Sequence, residues 1–106
     1  MEEIIMVMVT VGTESQGLEI GRSLVQEKLA ACVNLIKGVK SLYIWEGRLS
    51  DDQEILMLIK TRRSLFSRLR DRVEELHTYE VPEIIALPVI EGSPSYLRWV
   101  AEMTGP

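Results

Sequence analysis

The stretch His77-Thr78-Tyr79-Glu80-Val81-Pro82-Glu83-Ile84 brings together an imidazole, a phenol, two carboxylates and a proline. Such groups can bind a metal, move a proton or fix a polar ligand. Pro82 biases Val81 toward an extended backbone, which gives Glu80 and Glu83 a defined presentation. The stretch follows a charged helical pattern and precedes an apolar run, so it forms a polar corner at the edge of the fold. Lys60 ends an upstream strand and is the basic partner expected for one of the two carboxylates. That pairing would fix orientation and register at a subunit joint. The second reading is a ligand cleft across the interface, walled by Lys60, Tyr79, Glu80 and Glu83.

Cys32 and His77 are the metal candidates, because thiolate suits Cu(I) and imidazole suits copper or zinc. One cysteine and one histidine per chain do not fill a tetrahedral structural site. Several subunits, or a carboxylate such as Glu80 or Glu83, would have to complete it. Against this stand two plainer readings. Cys32 follows Ala30-Ala31 in an apolar strand and behaves there as a small buried hydrophobe. His77 ends a helix and caps a carbonyl. Glu46 and Glu54 would serve as an acid/base pair only in a desolvating pocket, and the polar turn expected between them argues against one. With one histidine there is no Ser-His-Asp pattern, and the glycine spacing fits neither a P-loop nor a dinucleotide fingerprint. The residue pattern therefore points away from an enzyme.

These side chains need elements to position them. Ile4–Val11 reads as a buried strand, broken by Gly12. Thr13 and Gln16 look like a reciprocal N-cap for a helix running to about Leu29. Its inward stripe is Gly17/Leu18, Gly21, Leu24/Val25 and Leu29, the two glycines allowing close approach to a sheet. Residues 31–46 form one long strand with a bend or bulge near Gly38. A turn region from Glu46 to Asp52 leads into a returning strand over Glu54–Thr61, completing a long hairpin. Arg63–Leu76 is helical in period, with Ser64 as cap. Ile84–Ile90 is a fourth strand, with Pro88 marking an edge or an irregularity. Ser95–Met103 is a terminal helix.

Strand, helix, strand, strand, helix, strand and a terminal helix is the order of a split-βαβ, ferredoxin-like α+β subunit. The returning strand is apolar at both parities, with Ile55, Met57 and Ile59 on one face and Leu56 and Leu58 on the other. The helices cover one face, and the chain offers nothing further for the second. Packing against other copies of the same subunit follows. Tyr43 and Trp45 share one strand face near the hairpin tip and are expected to make subunit contacts. Tyr96 and Trp99 share a face of the terminal helix.

The chain has 106 residues, 46% of them apolar, and a net charge of −4. One domain over residues 1–106 is expected. Acidic charge argues against nucleic-acid binding. Lys60, Arg62, Arg63, Arg68, Arg70 and Arg72 are interrupted by acids and read as a solvated, ion-paired face. A single cysteine gives no sign of an oxidising compartment. A start of Met-Glu-Glu without a basic n-region, and no apolar run near the roughly 20 residues of a membrane span, lead to the expectation of a cytoplasmic, membrane-free protein.

Leu29-Ala30-Ala31-Cys32-Val33-Asn34, Ser41 to Gly47, Glu54 to Thr61, His77 to Ile84, Gly92 and Tyr96-Leu97-x-Trp99 together resemble the CutA divalent-cation tolerance proteins. The resemblance runs from about Ile4 to Trp99. It implies a tight homotrimer whose long hairpins pair across subunit boundaries, a non-enzymatic role in copper tolerance, and metal roles for Cys32 and His77. No cofactor is obligatory, and copper or another divalent cation is the expected metal partner. The architecture also resembles PII signalling proteins, so the alternative is a signalling or scaffold trimer with a small anion in the subunit cleft. Thr78 stands where the family has proline, and Val9 where some members have a second cysteine. Thr10-Val11-Gly12 replaces the family's Thr-x-Pro.

Overall fold

The computed structural model describes residues 2–105. It contains β1 (Ile4–Val11), α1 (Glu14–Gln26), β2 (Cys32–Trp45), β3 (Arg48–Arg62), a 3-10 turn (Arg63–Leu65), α2 (Phe66–Leu76), β4 (Ile84–Pro88) and α3 (Pro94–Met103). The sheet order is β2-β3-β1-β4, with every neighbouring pair antiparallel. β3 lies between β1 and β2, which is the split-βαβ arrangement.

Alternation along the strands decides the layers. Val7, Val9, Met57 and Ile59 are fully buried and share one face. α1 and α2 cover that face with Ile20, Leu24, Leu69 and Val73. Burying each such side chain stabilises the fold by about 1.5–3 kcal/mol. α1 lies close to the sheet at Gly17, where an added Cβ would stand 2.8 Å from Leu35 Cδ2. The inward stripe differs from expectation at its flanks: Ile20 is buried, whereas Leu18 and Val25 are exposed. Leu18 and Val25 sit next to the stripe positions in sequence but point away from the sheet, and Ile20 completes the i, i+3, i+4 spacing with Gly17 and Gly21.

α1 stops at Gln26 rather than Leu29, because Lys28 turns left-handed and the Leu29 and Ala30 N–H groups fold back onto the Leu24 carbonyl. Thr13 accepts the Gln16 N–H as expected, at 3.1 Å. The Gln16 amide does not return to the cap; it donates to Glu19 and to the Leu76 carbonyl, tying α1 to the end of α2. Ser64 does not cap α2. A 3-10 turn comes first, and the Ser64 N–H donates to Glu2.

The hairpin is longer than its sequence suggests. β2 and β3 pair from Trp45↔Arg48 down to Cys32↔Lys60, with a register shift between Ile36 and Val39. Only Glu46 and Gly47 form the turn, at φ 50° and 77°. Positive φ at both central residues is the type I′ geometry that matches strand twist. Ser50, Asp51 and Asp52, expected in the turn, are ladder residues. Their polarity reflects an exposed arm.

The second sheet face is covered at its two ends: the Tyr79 hydroxyl reaches buried Glu54, beside buried Thr10, at one, and α3 closes the other. Ile4, in the opposite orientation to Ile5, packs with Ala31 and Val100, so α3 caps that end of the face, a role the sequence did not suggest. Beyond it Met6, Met8, Leu56 and Leu58 are half-buried, and Ile36, Ile85 and Leu87 are exposed. β4 ends at Pro88 on the sheet edge, where a missing N–H costs no ladder bond.

Candidate functional site

The polar corner follows α2 directly, and His77 anchors it. The His77 N–H closes the helix on the Val73 carbonyl. Its ring is buried, and both ring nitrogens are engaged. Nδ1 accepts the Tyr79 N–H at 3.1 Å, which leaves the proton on Nε2, and Nε2 donates to the Thr10 carbonyl at 2.7 Å. His77 therefore stitches the corner to the end of β1. The Tyr79 ring tilts against it, with centroids 4.6 Å apart. The Tyr79 hydroxyl passes over Gly12, where a Cβ would lie 3.2 Å away.

The corner forms one wall of a cleft of about 660 Å³, and the hairpin arm forms the other. Ser41↔Asp52, Val39↔Glu54 and Tyr43↔Ser50 are opposed pairs, so Ser41, Tyr43, Trp45, Asp52 and Glu54 share the arm face that lines the cleft. Tyr79, Glu80, Val81 and Glu83 line the facing wall. Tyr79 Oη donates to Glu54 Oε2 at 2.7 Å and bridges the two. Burial first, and then the Glu54 carboxylate, pushes the Tyr79 phenol well above its ordinary value, so it remains a donor. Tyr43 donates to Asp52 on the arm, and that bond raises its phenol as well.

Tyr43, Trp45, Tyr79, Glu80 and Glu83 thus meet at one cleft. Lys60 does not: it lies on the open sheet face opposite Cys32, where its ammonium donates to Asn34 Oδ1. No ion pair joins it to the corner among the described residues. The cleft holds four carboxylates (Asp52, Glu54, Glu80 and Glu83) and no basic side chain, which counts against an anionic ligand. Glu54, weighed in the sequence only as an acid/base partner of Glu46 and set aside for want of a desolvating pocket, lines the cleft. It is only 6% exposed. The returning strand was expected to begin at Glu54, so the residue read as the wet end of a strand; its alternation with Leu56 and Leu58 was the available signal of burial.

Cys32 and His77 are not brought together. Cys32 is level with Met6 of β1 through Lys60, whereas His77 bonds Thr10. Four residues along and two strands across separate the Cys32 backbone from that of Thr10 by about 16 Å at the usual strand dimensions. Among the described residues no group of three His, Cys, Asp or Glu side chains is placed to hold a metal ion. The pair assigned to metal therefore does not fit one ion within one chain, and His77 offers no free ring lone pair. Cys32 is half-buried and lies beside Tyr96; burial, then the Cys32 sulfur, raises that phenol. The basic stretch is largely spent on ion pairs, Arg62–Glu2, Arg63–Glu3, Arg70–Asp71 and Arg72–Glu27.

A split-βαβ subunit with an elongated hairpin arm, an acidic cleft beneath it and a half-covered apolar sheet face defines an α+β protein with an unused sheet surface. The family model for the CutA1 divalent ion tolerance protein matches residues 5–103. The chain is 49% identical over 105 residues to the divalent-cation tolerance protein CutA of Thermus thermophilus, covering 99% of this chain and 100% of that one. It spans about half the length of the plant and animal CutA proteins it matches, 55% for the chloroplastic protein of Arabidopsis thaliana, at 49% identity over 94% of this chain. The crystal structure of CutA1 from Oryza sativa superposes with a TM-score of 0.95 at 44% identity, covering 98% and 95% of the two chains. The periplasmic divalent cation tolerance protein CutA from Archaeoglobus fulgidus superposes at 0.92 and 34% identity, covering 94% and 97%. The chain belongs to the CutA1 divalent ion tolerance protein family. No helix among the described residues is long and apolar enough to cross a membrane.

Proposed function

We propose that the protein acts in divalent-cation tolerance as a non-enzymatic, cytoplasmic homotrimer that binds copper or another divalent cation weakly. Family membership over residues 5–103 is the observation that carries this reading. The half-covered sheet face supports the assembly: Met8, Leu58 and Ile85 lie in one row across three strands, and soluble folds seldom leave such a surface to water. Cys32 is the soft donor in this proposal. A trimer supplies three thiols, whereas His77 would have to give up a hydrogen bond to join them.

Copper titration of the purified protein tests the reading. Saturable binding that weakens in Cys32→Ser and survives in His77→Gln is the expected result. No saturable binding in the unaltered protein would refute the metal role.

A further inference from the structure

We draw no further inference here: the strongest candidate, the pocket at the N-terminus of α1 lined by Gly12, Thr13, Ser15, Gln16, Glu19 and Thr78, is a helix end at which nothing points to a ligand, since Gln16 Oε1, its unpartnered buried atom among the described residues, is an acceptor on a half-buried side chain that itself donates to the Glu19 carboxylate.

Discussion

Tyr79 Oη donates to Glu54 Oε2 at 2.7 Å, joining residues 25 positions apart and fastening the polar corner to the hairpin arm. Together with the bond from His77 to the Thr10 carbonyl, it ties the end of α2 to both β1 and β3. No proline ring restricts the backbone at Thr78, and these hydrogen bonds fasten the corner to the sheet.

Tyr79→Phe removes the only described donor to a buried carboxylate. At neutral pH it should cost about 1–2 kcal/mol, the worth of a charge-assisted bond reduced for partial exposure. The phenol is raised in the folded state, so its contribution is complete below the ordinary value of 10.0 and declines as pH climbs above it. Urea unfolding of both proteins at pH 7 and pH 11 should show the gap between them narrowing at the higher pH. A gap that stays constant would show that the bond does not couple to the phenol.

His77→Ala should destabilise by about 2–3 kcal/mol, since the buried Thr10 carbonyl and the Tyr79 N–H both lose a partner. Hydrogen exchange provides a local readout: the Tyr79 amide should lose protection while the core of β1 keeps it. Equal stability of the two proteins would contradict the stitching role.

Gly38→Ala isolates the bend in the arm. Gly38 has φ +81° and open space around an added Cβ, so the cost is backbone strain alone. About 1 kcal/mol is expected from thermal unfolding. A neutral result would mean the bulge can relax.

The sequence disclosed the elements because their periods are strong: Ile55, Met57 and Ile59 alternate with Leu56 and Leu58, and Leu69 and Val73 keep helical spacing. It disclosed most of the cleft because Tyr79, Glu80 and Glu83 are adjacent in the chain, and Tyr43 and Trp45 share a strand face. Lys60 was misplaced because it shares a face with Glu54 but lies six residues further along β3, level with Cys32 rather than with the corner. The burial of Glu54 was not legible because Ser50, Asp51 and Asp52 beside it carry turn-forming composition on an exposed arm, and the Tyr79 that covers it comes from a distant segment. Metal geometry was beyond reach, since Cys32 and His77 are separated by register, which composition does not encode.

Leu58→Glu places a charge in the middle of the half-covered sheet face, in one row with Met8 and Asn34. The subunit fold should survive, because Leu58 lies outside the helix-covered core, while self-association should weaken by at least about tenfold. Circular dichroism together with sedimentation velocity separates the two effects. Retained association at micromolar concentration would show that this face is not the joint.

The central claim is that the open sheet face is closed by further copies of the chain, and native mass spectrometry tests it most directly. The account predicts a single species at three times the chain mass of 12.1 kDa. A stable, well-folded monomer at 12.1 kDa would contradict it.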